Sequence, residues 1–397
     1  MCDYGDSVED CKMHRMPPLL TAGFRPFFLA AAAWATLSMA AWMPMLSGQL
    51  ELPSRFDPLS WHIHEMLFGF VMATVGGFLL TAIPNWTGRA PVAGTPLAVL
   101  AGLWLLGRVA CVFSAMIPGG LVIAADLAFA VALDVVAAHE LIAVGNRRNY
   151  PLLAPVILLA IANLLTHLQA LGVAVPIGLG WRLGIAVVIV LISVIGGRIV
   201  PAFTGNWLGA RGLTPVPASI PWLEIAARGT LIAAMLGWVF LPDWRPLGVL
   251  LLVAAALNLV RLARWRGIAT LEEPLLLVLH VGYLWLLIGV ALLGLSLISD
   301  AVPPAAAVHA LTAGAMGTMT LAVMTRATLG HTGRVLRADK VTMLIYALAS
   351  ASALLRIAAA WVIDGQMDLY DVAALAWVGA FALFAAEYGP MLLAARR

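Results

Sequence analysis

Apolar runs of helix length, separated by short polar breaks, follow one another along almost the whole chain. About 20 consecutive apolar residues are what an α-helix needs to cross the hydrocarbon core of a bilayer. On that criterion the pattern predicts spans over 24–46, 61–83, 93–115, 120–144, 152–172, 181–200, 219–241, 245–262, 273–297, 304–326, 341–363 and 369–393. The expected fold class is therefore all-α: a polytopic membrane protein with twelve transmembrane helices and both ends on one side.

The spans carry an internal repeat. His64 to Arg89 and His309 to Arg334 are the same length, and each begins with histidine and ends in Thr-Gly-Arg. Each also has a glycine five residues after the histidine, Gly69 and Gly314. Thr204-Gly205 follows the sixth span in the same way, so Thr-Gly recurs after spans two, six and ten. Arg108, Arg228 and Arg356 fall in spans three, seven and eleven, and Pro26, Pro151 and Pro274 open spans one, five and nine. The period predicts a tail over 1–23 and four-helix repeats over 24–148, 149–266 and 267–397, together one membrane domain. An even number of spans gives each unit the same topology, so three parallel repeats around a pseudo-three-fold axis are expected.

Composition agrees with a bilayer protein: 62% of residues are hydrophobic and 11% charged, with a mean hydropathy of +0.98. Charge adds orientation, because short cytoplasmic loops keep an excess of Lys and Arg. One set of loops and tails holds Arg147-Arg148, Arg261, Arg264, Arg266, Arg334, Arg337, Lys340 and Arg396-Arg397, among others, while the other holds only Arg55, Arg182 and Arg245. Both termini are expected in the cytoplasm, and the net charge of +3 calls for no nucleic-acid partner. Residues 1–23 lack the apolar core of a signal peptide and read as a short cytoplasmic tail. Three cysteines, Cys2, Cys11 and Cys111, are too few for a disulfide framework.

Ionisable groups within a span are costly unless paired, which makes each a candidate for function. The expected topology puts His62, His64, Glu65, Arg108, His167, His309 and Arg356 in one outer layer. Two neutral imidazoles there can ligate a haem axially, and arginines can pair with its propionates. The repeat register matches His64 with His309. His62 competes for the same role, because it lies about 200° from His64 around the helix and the two cannot face one partner. His62 and Glu65 share a face, so Glu65 can orient that imidazole or ligate a metal itself. His167, Glu65 and the second span-two histidine form a candidate copper site, with Met316 as a softer ligand. Taken alone, His167 and His280 are more economically read as hydrogen-bonded core histidines. At the cytoplasmic side, the loops Pro84–Arg89, Pro201–Trp207 and Thr325–Arg334 either form an anion or partner site or cap the helices, with glycine at a left-handed cap.

Several of these segments are long enough to be specific. Phe24-Arg25-Pro26-Phe27-Phe28, Trp61-His62-Ile63-His64-Glu65-Met66-Leu67-Phe68-Gly69-Phe70, Asn85-Trp86-Thr87-Gly88-Arg89 and Met324 to Arg334 resemble the NnrS family of bacterial membrane proteins. The resemblance covers nearly the whole chain after the tail. It implies a twelve-span inner-membrane protein that contains haem and copper and takes part in the response to nitric oxide. A more distant likeness, of architecture, joins the chain to the catalytic subunit of haem-copper oxidases and nitric oxide reductases, whose low-spin haem ligands lie on spans two and ten. Those enzymes carry further histidines on spans six and seven, and residues 181–241 here contain none.

Two functions are therefore expected to compete. One is a haem-binding, and copper-binding, inner-membrane protein acting on NO or a nitrosyl species, or transferring electrons, with haem b near the periplasmic side between spans two and ten. Electrons would come from quinone or a redox partner protein, since no nucleotide or flavin fingerprint is present. The alternative is a transporter or metal exporter using the intramembrane His and Arg residues, for which Gly76-Gly77 and Gly196-Gly197 would mark broken helices.

Overall fold

In a computed structural model, residues 16–215 and 217–396 are described, and all regular structure among them is helical. Cys2, Cys11 and most of the expected tail lie outside them. Twelve helices are long and apolar enough to cross a membrane. They are α1 (Phe24–Leu46), α2 (Pro58–Thr87), α3 (Thr95–Val112), α4 (Gly119–Ala143), α5 (Arg147–Ala170), α6 (Leu179–Gly209), α7 (Pro221–Phe240), α8 (Leu247–Arg264), α9 (Pro274–Ile298), α10 (Pro304–His331), α11 (Lys340–Ala358) and α12 (Gln366–Leu393).

Sequential helices pack as neighbours, and α12 returns against α1. Helices α2, α6, α9 and α10 bury 72, 56, 67 and 67% of their most apolar stretch inside the protein, whereas the other eight bury only 28–39%. Those four form the interior, and the other eight present apolar side chains such as Leu37, Leu105, Ile157 and Leu375 outward, as lipid-facing helices must.

Local chemistry sets the helix ends. Asp57 accepts hydrogen bonds from the Leu59 and Ser60 amides and Pro58 occupies the first position of α2, an arrangement that satisfies otherwise orphaned N–H groups. Asp339 does the same for α11 through the Thr342 amide. Helices α2, α6 and α10 run further than their apolar stretches predict, to Thr87, Gly209 and His331. The segments expected as cytoplasmic loops are thus largely final helical turns. Their threonines bond back to carbonyls one turn earlier, Thr87 to Ile83 and Thr332 to Thr328. Gly88 and Gly333 then end or follow the helix at φ 70° and 77°, the left-handed geometry that glycine adopts freely. Gly205 does not, because α6 continues past it.

The three helices that carry Thr-Gly share a second feature, a π-helical turn in mid-span: Glu65–Val71 in α2, Ile192–Gly196 in α6 and Ala310–Gly317 in α10. Such wide turns are uncommon and concentrate at functional sites. His64 and His309 each sit immediately before one. Gly76-Gly77 and Gly196-Gly197 do not break their helices. They admit close packing instead, since a Cβ on Gly76 would meet Phe129 at 2.8 Å and one on Gly77 would meet Phe28 at 2.8 Å.

Candidate functional site

The seven residues expected in one outer layer divide into two groups. His62, His309 and Arg356 line a cavity of about 160 Å³ between α1, α2, α6, α10, α11 and α12, together with Trp181, Met316 and Tyr370. His64, Glu65, Arg108 and His167 are packed into a separate polar cluster on α2, α3, α4 and α5.

In the cavity, His62 stacks on Trp42 with ring centroids 4.1 Å apart and planes 23° from parallel. Its Nδ1 is buried without a hydrogen-bond partner. His309 Nδ1 lies 2.7 Å from the Ala305 carbonyl. A carbonyl only accepts, so this nitrogen carries the proton and Nε2 of the neutral ring keeps its lone pair. The Arg356 guanidinium lies over the Tyr370 ring at 4.0 Å, and its Nη1 is buried and unpartnered. Two imidazoles with ligating capacity and a cation with an unused donor therefore meet around one space. That donor set fits a haem held by two histidines, with Arg356 beside a propionate.

The cluster has the opposite character, because nearly every polar atom in it has a partner. Arg108 donates from Nη1 to Glu65 Oε2 at 2.6 Å and from Nη2 to Asp126 Oδ1. Glu65 Oε2 also accepts from the Trp34 indole at 2.8 Å. His64 Nδ1 lies 2.9 Å from Glu65 Oε1, and its Nε2 lies 2.9 Å from Asn163 Oδ1 and 3.1 Å from Asp126 Oδ2. Asp126 Oδ2 further meets Asn163 Nδ2 at 2.8 Å and His167 Nε2 at 2.9 Å. His64, Glu65, Arg108, Asp126 and His167 are all almost fully shielded, so the charges depend on one another rather than on water. Ligand atoms of His64, Cys111, Asp126 and His167 all lie within 4.8 Å of one another. A tetrahedral metal site spaces its ligands at about 3.3–3.8 Å, so small side-chain shifts would suffice to close these four around an ion. Two imidazole nitrogens, a thiol and a carboxylate form a donor set that suits copper or zinc.

Three expectations change with this division. Arg108, expected at a haem carboxylate, is instead committed to Glu65 and Asp126 and does not line the cavity. Glu65, read as able to orient His62 or to ligate a metal itself, bonds His64. On α2 it is His62, not His64, that lines the same cavity as His309. The cause is long-range: Asp126 and Asn163, on α4 and α5, draw His64 to the other face of the helix.

Asp126, Asn163 and Cys111 escaped the sequence reading as site residues. Asp126 was open to detection as a carboxylate inside an apolar run, a rarity that marks functional sites. Asn163 and His167 are spaced i, i+4, and Arg108 and Cys111 i, i+3, so each pair shares a helix face. Away from both groups, His280 accepts or donates at Thr204 Oγ1, 3.0 Å away, in keeping with a core histidine.

Twelve membrane-length helices around an interior that holds a buried group of metal-ligating side chains define a polytopic membrane protein with a possible metal site. The family model described as NnrS protein matches residues 18–396. The chain belongs to the NnrS family. A search of curated proteins finds no match.

Proposed function

We propose that this chain is a haem-binding inner-membrane protein of the bacterial response to nitric oxide. Haem b would lie in the cavity between α2 and α10, toward the periplasmic side. His62 and His309 would hold its iron and Arg356 would pair with a propionate. The observation that carries this reading is the convergence of two imidazoles and an unpaired guanidinium nitrogen on one cavity. Family membership supports the nitric oxide context. When bound, haem would supply a redox-active iron, to which NO can coordinate where one of the two histidines is displaced.

The chain's own residues do the positioning. Ala305 fixes the His309 tautomer, Trp42 holds the His62 ring in plane, and Tyr370 holds Arg356 toward the cavity. The His64, Cys111, Asp126 and His167 group would take the copper ion through His64 Nε2, with Glu65 orienting His64 from outside at Nδ1. Electrons would come from quinone or a redox partner protein, and the substrate would be NO or a nitrosyl species.

The test is a reduced-minus-oxidised spectrum of the purified protein in mild detergent, for the parent, His62→Ala, His309→Ala and His64→Ala. A b-type spectrum lost in His62→Ala and His309→Ala but kept in His64→Ala is expected. A folded protein that stays colourless after expression with ample haem would overturn the reading. Loss in His64→Ala with retention in His62→Ala would instead move the axial ligand to His64.

A further inference from the structure

A second cavity, of about 110 Å³, lies one helical turn further along the three helices that carry π turns. On α6, Ile185 lines the first cavity and Val188 the second; on α10, Met316 lines the first and Met319 the second; on α2, Val71 lines both. The two spaces are thus neighbours separated by about one turn of helix, near 5 Å, and Val71 stands at their junction.

Its lining is almost wholly apolar, and the two hydroxyls in it are turned away. Thr74 Oγ1 donates to the Phe70 carbonyl at 3.2 Å, and Thr320 Oγ1 to the Gly317 carbonyl at 2.9 Å. A buried water needs two to four polar partners, whereas apolar cavities of about 150 Å³ stay dry and take xenon or one benzene-sized molecule. This cavity offers water few partners. Its volume admits small molecules. Phe78 on α2 and Leu152 and Pro155 on α5 also line it and are only half-buried, so the space reaches the outer surface of the helix bundle between α2 and α5, where the bilayer lies.

We propose that the second cavity is a binding and transit site for a small, uncharged, apolar molecule of diatomic-gas size, passing from the bilayer to the histidine-lined cavity past Val71. The binding half of this inference stands on the cavity itself. The delivery half rests on the haem reading above. Apolar gases partition into hydrocarbon, so an entrance that faces the bilayer draws on a richer supply than one in water.

Two measurements on the holoprotein test it. Crystals pressurised with xenon should show a xenon peak bounded by Val188, Ile192 and Met319, and Val188→Phe, which fills the space without touching the first cavity, should abolish it. Carbon monoxide rebinding after flash photolysis of the reduced protein should be several-fold slower in Val188→Phe with an unchanged haem spectrum, and no slower in Val71→Ala. Ile195→Phe, at a half-buried lining position, serves the same purpose if Val188→Phe does not fold. Absence of xenon, or a lipid chain found filling the space, would overturn the binding site. Unchanged rebinding in both filled variants would overturn delivery. Xenon bound in a protein that carries no haem would leave the site standing and remove the haem reading alone.

Discussion

Asp126 holds more of the interior together than any neighbouring side chain, since Arg108, His64, Asn163 and His167 all converge on its two oxygens. Counting charges explains why. Glu65 and Asp126 oppose one Arg108, which leaves the cluster one positive charge short of neutrality. His64 faces acceptor oxygens on both sides, so it satisfies them only with a proton on each nitrogen or with a metal ion in place of one. Replacing Asp126 with Asn keeps the volume but leaves Arg108 with a single carboxylate and turns an amide NH2 toward other donors. Removing one partner of a buried ion pair typically costs about 3–5 kcal/mol, and Asp126→Asn should lower the thermal unfolding midpoint in detergent accordingly. A midpoint equal to the parent's would show that packing, not charge, holds the cluster. The pairing could not be read from sequence, because Asn163 is 99 positions from His64 and only the packing of α4 and α5 on α2 brings them together.

At the scale of helices, α2 is the element on which both groups depend: His62 points to the cavity, and His64 and Glu65 to the cluster. Its entry is fixed by Asp57. Partial burial works to raise that carboxyl, but hydrogen bonds from the Ser60 hydroxyl and from the Ser60 and Leu59 amides outweigh it and hold the group below its ordinary value. A depressed folded-state value means that the cap's stabilisation is complete above the unfolded value near 3.9 and is lost as pH falls through the folded one. Asp57→Ala should therefore cost about 1 kcal/mol near neutrality, and the difference from the parent should vanish in acid below that range. A pH-independent difference between the two unfolding curves would deny the carboxylate its role. Much of the helical layout is legible in the chain: α1 spans the predicted residues, and the other apolar runs find their helices within a few residues at most ends. The long C-terminal ends of α2, α6 and α10 were hidden because Pro84 and Pro201 look like loop residues, as do the threonines until their side-chain bonds to i−4 carbonyls are seen. The period of four spans is legible in Thr-Gly and returns as π turns in the same three helices, a backbone feature that hydropathy does not encode.

The whole molecule places its chemistry asymmetrically across the bilayer, and orientation therefore decides what each cavity meets. The His62 and His309 cavity lies near the starts of α2 and α10, beside the short loops before Pro58 and Pro304, and the second cavity lies deeper along the same helices. The loop set on the opposite side carries Arg147-Arg148, Arg264, Arg266, Arg334, Arg337 and Lys340, and short loops rich in Lys and Arg stay in the cytoplasm. The histidine cavity should accordingly open toward the periplasm. With Cys2 and Cys11 changed to Ser and the buried Cys111 retained, a cysteine at Asp300, between α9 and α10, should react with a membrane-impermeant maleimide in intact spheroplasts. A cysteine at Arg266, between α8 and α9, should react only after permeabilisation. The reverse pattern would turn the molecule over, put the histidine cavity on the cytoplasmic side, and make a cytoplasmic electron donor, rather than one drawn from the outer face, the partner to seek.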